Sequence, residues 1–230
     1  MTKPKLARIR RATRRLIASR WPTIGVFDRV AGTPADIEAA YELEMLTNDR
    51  LHVPLQRLHE LPQSEWAAGV PNATIIMAAY LHADDDGGRF TDATLGAWYC
   101  SFDLQTAIRE TVYHHTRRLS HSQAGYYQTI QMRELRADVN AEFHDLRGRK
   151  KQFPALYSPT SYRDSQPFGV ALRKEGANGI CYDSVRRAGG VCLAVFRPRL
   201  VLNVTQGDHF QYEWIGTPTP VVSELTNVAL

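Results

Sequence analysis

Three residues whose chemistry could serve one pocket follow each other closely in this chain: Arg89, Tyr99 and Glu110. Gly87 and Gly88 free the backbone for a tight turn that presents Arg89. Its guanidinium is a planar donor fork that suits phosphate oxygens. The ring of Tyr99, within an apolar run, offers a stacking face and a hydroxyl. Glu110 lies inside the next predicted helix. Side chains on a turn, a strand and a helix in succession can converge, so this stretch predicts a binding pocket.

Each of these residues also has an ordinary structural interpretation. Arg89 could form a surface ion pair, which is worth about 0–1 kcal/mol. Tyr99 stands beside Trp98 and could belong to the core. Glu110, judged by its spacing alone, is better explained as an exposed helix residue paired with Arg109 or a nearby histidine. A further reason is therefore needed before Glu110 is assigned to chemistry.

A histidine, a serine and a second arginine extend the set of candidates. His114 follows Glu110 by one helical turn. It is expected to support that carboxylate or a substrate, because the spacing of two histidines and an acid that binds zinc is absent. Ser184 falls in a loop between two predicted strands, where its hydroxyl can bond a carboxylate. No histidine–acid pair accompanies it, so we do not predict a nucleophile. Arg186 could bind phosphate or lie at the surface.

Composition describes an ordinary globular chain of 230 residues with 43% hydrophobic and 23% charged residues, enough for one domain. No apolar run approaches the roughly 18 residues of a membrane span, and the N-terminus lacks the features of a secretory signal. Cys100, Cys181 and Cys192 show no CxxC spacing, which predicts buried free thiols and a cytoplasmic location. The acidic run at residues 84–86 lacks the spacing of a calcium loop. No metal is predicted.

The net charge of +4 is concentrated near the N-terminus, where residues 3–20 carry eight lysines and arginines and no acid. An apolar edge compatible with a docked helix is made by Leu6, Ile9, Leu16 and Ile17. We therefore predict a basic helical arm over residues 1–22, ahead of a domain over residues 23–230. The cluster could instead contact an acidic protein partner or nucleic acid.

The remaining pattern predicts an α+β domain with a sheet flanked by helices. Thr33 and Pro34 have the form of a helix N-cap and first helical position, and another helix begins near Asp103. Residues 51–70 are expected to be irregular, with a short helix near Ser64. Predicted strands cover residues 23–30, 95–100, 126–132, 135–143, 191–196 and 209–214, and further helices cover residues 72–81 and part of 159–176.

Three segments arrive in an order that resembles the RES-domain family, named for an arginine, a glutamate and a serine. They read Gly88-Arg-Phe, then Trp98-Tyr-Cys-Ser with Thr106-Ala-Ile-Arg-Glu110, then Asn178-Gly-Ile-Cys-Tyr-Asp-Ser-Val-Arg186. The resemblance covers residues 23–214. Phe90 stands where the family often has tryptophan, and residues 91–94 lack its Asn-Pro-like turn, which concerns the shape of the loop more than the chemistry.

The resemblance implies an ADP-ribosyltransferase-like split β-sheet and an attack on NAD that needs no metal. It implies that Glu110, Arg89 and Ser184 are catalytic. The residues that it implies bind NAD are Arg29, Tyr99 and His114, and Arg186 is added as a candidate phosphate contact. Arg29 matches the first arginine of the family, near the end of the predicted strand over residues 23–30.

The family likeness further implies the toxin of a type II, Xre–RES toxin–antitoxin pair, with a cognate Xre-type antitoxin that covers the active site. Some members transfer ADP-ribose to a protein, including phosphoribosyl pyrophosphate synthetase, and transfer to a protein is the acceptor expected here. Others hydrolyse or phosphorolyse NAD, which is the alternative. A nucleic-acid-binding module is a rival, but zinc-finger and RNA-binding aromatic signatures are absent. An ordinary hydrolase would need a Gly-x-Ser-x-Gly elbow, which is also absent.

Overall fold

The computed structural model describes residues 3–20, 32–45, 52–123 and 125–226. The predicted strand over residues 23–30, with Arg29, lies outside these described residues. Within them, five α-helices are α1 (Pro34–Met45), α2 (His52–His59), α3 (Ala73–Leu81), α4 (Leu104–Ser120) and α5 (Ser165–Lys174). Seven strands are β1 (Leu6–Ala18), β2 (Trp98–Ser101), β3 (Tyr127–Asp145), β4 (Gly179–Asp183), β5 (Val191–Val195), β6 (Leu202–Ile215) and β7 (Val221–Leu225).

The strands form one mixed sheet in the order β1-β2-β5-β4-β3-β6-β7, and β1 also pairs with β3. That additional pairing joins both ends of the row β1-β2-β5-β4-β3, so these five strands close into a ring. The long strand β3 makes this possible, because β4 pairs in parallel with only its last two residues, His144 and Asp145. Further back along the chain, β3 pairs with β6, and β6 carries β7 outward. The predicted α+β class, with helices flanking a sheet, is confirmed.

The predicted basic helix at the N-terminus is wrong, because these residues form strand β1. It pairs with β3 without a break from Leu6↔His144 to Ala18↔Met132. The buried Thr13 hydroxyl adds a bond of 2.8 Å to the carbonyl of Ala137, 124 residues away. Hydrogen bonds to a strand far along the chain decide the secondary structure here. The spacing of apolar residues within the segment contains no information about such a distant partner.

Several arginines of β1 are built into the sheet. The Nη1 atom of Arg14 lies 2.6 Å from Oε1 of Glu134, whose side chain is fully buried on β3. Arg15 donates from Nη1 to the carbonyl oxygen of Tyr99 at 2.9 Å, with its Cζ 5.0 Å from the centre of the Trp98 ring. Part of the N-terminal positive charge therefore stabilises packing between strands.

Three other predictions need correction. The strands expected over residues 126–132 and 135–143 are the single strand β3, because neighbours on both edges hold the backbone extended through the intervening residues. The stretch expected to be irregular, residues 51–70, contains α2 as well as the short 3₁₀ turn Gln63–Glu65 near Ser64. Strand β6 is longer than predicted, and β7 was missed; every residue of β7 is exposed, so it lacks a burial pattern.

The helices cover the sheet in three apolar clusters. Helices α1 to α3 pack with β2, β3 and β5, α5 covers β4 and β5, and α4 covers β1, β3 and β6. The three cysteines are free and buried, as predicted. In the described ranges, none of the helices combines the length and apolarity that crossing a membrane requires.

Candidate active site

The site begins at the N-terminus of α4, where Asp103 caps the helix. Its Oδ1 accepts the backbone N–H of Thr106 at 2.9 Å, and its Oδ2 accepts the Thr106 hydroxyl at 2.8 Å. Buried Ala107 and Ile108 anchor the next turn against the sheet. This fixed start sets the rotation of α4, so Glu110 lies half-buried beside the apolar face of the helix.

Glu110 on α4 is in hydrogen-bond contact with Ser184, which follows β4. The Ser184 hydroxyl donates to Oε1 of Glu110 at 2.6 Å, a short bond of the kind that ionised acceptors form. The same hydroxyl oxygen accepts the backbone N–H groups of Arg186 and Arg187, each at 3.0 Å. A second donor to Oε1 is Cys192, whose Sγ lies 3.6 Å away. A carboxylate is thus a partner of the Ser184 hydroxyl, as the sequence allowed, and the Cys192 contact was missed.

The loop that carries Ser184 is tied to the first turn of α4. Arg187 donates from Nη1 to Oδ2 of Asp103 at 3.3 Å and to the hydroxyl of Thr106 at 3.2 Å. Gly190 closes the loop, and a Cβ there would lie 2.5 Å from the Thr106 hydroxyl oxygen, so the close approach requires glycine. Sequence reasoning missed Arg187, although it directly follows the last residue of the motif.

Arg89 is buried with 5% of its surface exposed. It follows Gly87, whose φ of 67° suits glycine, and a one-pair bridge between Gly88 and Thr91. Its Nη1 donates to the carbonyl oxygens of Leu156 and Ser158, each at 3.0 Å. Its Nη2 is buried and has no partner in the part of the chain that the structure describes.

The Tyr99 hydroxyl holds the turn that presents Arg89. It accepts the Phe90 N–H at 2.9 Å and lies 3.1 Å from the Thr91 hydroxyl. A Cβ on Gly88 would lie 2.6 Å from the same oxygen. Burial raises the pKa of Tyr99, so its hydroxyl stays protonated. The described partners of the Tyr99 hydroxyl therefore lie within the protein.

An aromatic cluster that the sequence did not reveal surrounds the remaining candidates. The Cζ of Arg186 lies 3.2 Å from the centre of the Tyr113 ring, and its Nη2 donates to the carbonyl oxygen of Pro159. The Cζ of Arg89 lies 4.9 Å from the centre of the Tyr162 ring. His114 lies against both tyrosines, with ring centres 5.4 and 6.4 Å away. The cluster thus joins Arg89, His114 and Arg186.

The imidazole of His114 is neutral near pH 7. Burial lowers the pKa of His114 to about 4, and the positive charge of Arg186 is the next cause. Arg89 acts in the same direction. A neutral imidazole keeps one donor and one acceptor nitrogen, so His114 can offer a hydrogen bond without adding a positive charge to the site.

Tyr182 on β4 connects the two halves of the site. Its ring lies 5.0 Å from that of Phe90, centre to centre. Burial raises the pKa of Tyr182, Glu110 and Tyr99 raise it further, and the charge of Arg89 lowers it. Tyr99 bonds the backbone of Phe90, next to Arg89, whereas Glu110 bonds Ser184 and Cys192. That Arg89, Tyr99 and Glu110 serve one substrate stays a prediction. Arg29 lies outside the described residues.

A site for a metal does not emerge from these contacts. Among residues 3–20, 32–45, 52–123 and 125–226, no group of three or more His, Cys, Asp or Glu side chains is arranged to hold an ion. Asp84 of the acidic loop forms an ion pair with Arg118 on α4.

Comparison with known proteins gives the family. The model of the RES domain matches residues 46–215, so the chain belongs to the RES-domain family. One similar solved structure is titled the crystal structure of the M. tuberculosis MbcT–MbcA toxin–antitoxin complex. It shows 11% identity and a TM-score of 0.45 over 88% of this chain and 86% of that chain. A search of curated protein sequences finds no match.

Proposed function

We propose that this protein is the toxin of a type II toxin–antitoxin pair and that it cleaves NAD at the bond between nicotinamide and ribose. The observation that carries the proposal is the 2.6 Å bond from Ser184 to Glu110. The chain belongs to the RES-domain family, and by resemblance to that family we assign Glu110 and Ser184 to the glutamate and serine of the motif. Buried Arg89 and half-buried Arg186, with the rings of Tyr162 and Tyr113 against them, supply groups that suit a dinucleotide.

Glu110 stabilises the charge that develops on the ribose. Nicotinamide leaves a cationic ring as a neutral molecule, so the step needs no strong general acid, and the ribose carbon becomes oxocarbenium-like. A carboxylate fixed beside this centre favours the transition state over the ground state. Ser184 orients the carboxylate by its hydrogen bond and stays intact through the reaction.

Arg89 and Arg186 bind the pyrophosphate. The Nη2 of Arg89 and the Nε of Arg186 are both buried and without partners among the described residues. Buried donors of this kind need an acceptor, because a buried donor without a hydrogen bond destabilises the fold by about 1–3 kcal/mol. Oxygens of a pyrophosphate are suited to guanidinium groups. Arg29, Tyr99 and His114 complete the proposed NAD site, with the Tyr99 ring as a stacking face.

The acceptor that we propose is a protein side chain, as on phosphoribosyl pyrophosphate synthetase, and the reaction takes place in the cytoplasm. Hydrolysis or phosphorolysis of NAD is the alternative. The partner that we propose is an Xre-type antitoxin that covers the pocket at Glu110 and Arg89 and thereby blocks entry of NAD.

Mass spectrometry of the products tests the proposal. The purified protein is mixed with isotope-labelled NAD, separately with buffer, with phosphate and with cell lysate. Protein transfer predicts labelled ADP-ribose on a lysate protein, hydrolysis predicts free ADP-ribose, and phosphorolysis predicts its phosphate ester. Arg89→Lys should release nicotinamide at least about tenfold more slowly, because one ammonium cannot reproduce the planar fork. Arg10→Lys on the exposed part of β1 is the matched control. Absence of every labelled product with wild type would refute the proposal.

A further inference from the structure

Two donors converge on one oxygen of Glu110. The Ser184 hydroxyl lies 2.6 Å from Oε1, and Sγ of Cys192 lies 3.6 Å from the same atom. A thiol is a weak donor whose contacts are long because sulfur is large. The other oxygen, Oε2, has no hydrogen-bond partner within the described ranges of the chain. Both donors therefore bind the same oxygen of the carboxylate.

The two donors come from different parts of the fold. Ser184 belongs to the loop after β4, whereas Cys192 lies in the middle of the sheet on β5, paired with Ser101 on one side and Tyr182 on the other. Cys192 is 2% exposed, and its Sγ lies 3.6 Å from the hydroxyl oxygen of Ser101. The thiol therefore supports the carboxylate from the sheet, and Ser184 supports it from the loop.

The thiol keeps its proton in this environment. Burial raises the pKa of Cys192 well above its ordinary value, and the negative charge of Glu110 raises it further. A protonated sulfur beside an ionised carboxylate oxygen can act as the donor. The direction of the contact is then fixed, from S–H to Oε1.

We propose that Cys192 is a positioning residue for Glu110, whose thiol donates to Oε1 and, together with Ser184, leaves Oε2 to face the ribose. The contact itself follows from the geometry. Its effect on catalysis rests on the proposed function. Because Cys192 is 2% exposed, we assign it no contact with substrate. Its effect passes through the orientation of the Glu110 carboxylate, which a 1 Å displacement would impair.

Infrared spectroscopy tests the contact independently of activity. The S–H stretching band of Cys192 is assigned from the difference between wild type and Cys192→Ser, and it should shift in Glu110→Gln, where the acceptor is neutral. Cys100, a buried thiol whose Sγ lies 3.8 Å from the carbonyl oxygen of Leu193, supplies the reference band. The Cys100 band should stay unchanged in Glu110→Gln. A Cys192 band that does not respond to Glu110→Gln would overturn the proposal.

Kinetics test the consequence. Cys192→Ala should lower kcat for nicotinamide release about three- to tenfold with little change in KM, because a weak hydrogen bond to a charged group is lost. The acid limb of the kcat–pH profile should move to higher pH, since the ionised carboxylate loses a donor. Cys192→Ser, which keeps a donor, should restore both. Cys100→Ala is the matched loss of a buried thiol and should leave the acid limb in place.

The outcomes separate this inference from the proposed function. An unchanged kcat and acid limb in Cys192→Ala, in an enzyme that cleaves NAD, would overturn the positioning role even if the S–H band responds to Glu110→Gln. Wild type that releases no nicotinamide would overturn the proposed function and, with it, the catalytic consequence of the contact. A responsive band, a displaced acid limb and rescue by Cys192→Ser would together support the proposal.

Discussion

Replacing Ser184 by alanine should weaken both catalysis and folding by amounts that the structure suggests. The hydroxyl donates to Oε1 of Glu110 at 2.6 Å and accepts the amides of Arg186 and Arg187 at 3.0 Å. A hydrogen bond to a charged group contributes about 1.5–3 kcal/mol, so kcat/KM should fall roughly 10- to 150-fold. Two half-buried amides also lose their acceptor. That change should cost about 1–2 kcal/mol of unfolding free energy and lower Tm by roughly 2–8 °C.

The assay measures initial rates of nicotinamide release across NAD concentrations, with Tm measured on the same samples. Ser184→Thr keeps the hydroxyl and should recover most of the rate. Ser122→Ala is the control, because it removes an exposed hydroxyl that donates only to the carbonyl oxygen of Leu119 at the end of α4. Its rate should equal that of wild type.

Two results would refute the reasoning about Ser184. A rate within about twofold of wild type in Ser184→Ala would show that the hydroxyl does not orient Glu110. Complete loss of activity, together with an ADP-ribosyl adduct on Ser184 of wild type, would identify the serine as a nucleophile. Peptide mapping by mass spectrometry after brief exposure to NAD detects such an adduct.

Three further predictions concern stability. His114 binds fewer protons when folded, since its pKa of about 4 lies below the ordinary 6.5, so stability is kept above pH 6.5 and is lost as pH falls toward 4. The loss from pH 7 to 5 should be about 1–2 kcal/mol; His114→Asn should flatten the Tm–pH curve, and parallel curves would contradict this. In buried Glu65, Oε1 lies 2.8 Å from Nη1 of Arg197 and Oε2 lies 2.7 Å from Nε of Arg199. Glu65→Gln should therefore lower the free energy of unfolding by about 2–3 kcal/mol, measured by denaturant titration. An unchanged unfolding midpoint would contradict this prediction. Deleting residues 1–20 removes β1 from the ring and should abolish the near-ultraviolet circular dichroism of a packed core; a native-like spectrum would show that β1 is dispensable.

Elements whose signals are local could be predicted from the sequence. The start of α4 follows from Asp103, which accepts from both the amide and the hydroxyl of Thr106. The start of α1 likewise follows from Thr33, whose hydroxyl accepts the N–H of Asp36 at 3.2 Å. Such caps act within one turn of helix, so neighbouring residues contain the necessary information.

The strands that depend on distant partners could not be predicted. Residues 6–18 carry apolar side chains at spacings that fit a helix as well as a strand, and pairing with β3 decides between them. The length of β3 has the same origin, since β1 and β6 hold both of its edges. Local periodicity does not report on such pairings.

The candidate site was predictable in part, for the same reason. The order of the motifs pointed to Glu110 and Ser184, and the fold brings those side chains into contact. Cys192 was missed because its contact depends on the register of β5 against β2, which pairs it with Ser101. Tyr162 was missed because it reaches Arg89 from a loop with no pattern of its own. The roles assigned to these residues remain predictions.

The most direct test of the central claim is the rate at which Glu110→Gln releases nicotinamide from NAD. The substitution keeps size and an acceptor oxygen but removes the charge that faces the ribose. We predict a fall of at least about 100-fold at an unchanged Tm, whereas Glu142→Gln, at an exposed glutamate on β3, should match wild type. A Glu110→Gln protein that releases nicotinamide at the wild-type rate would contradict the account.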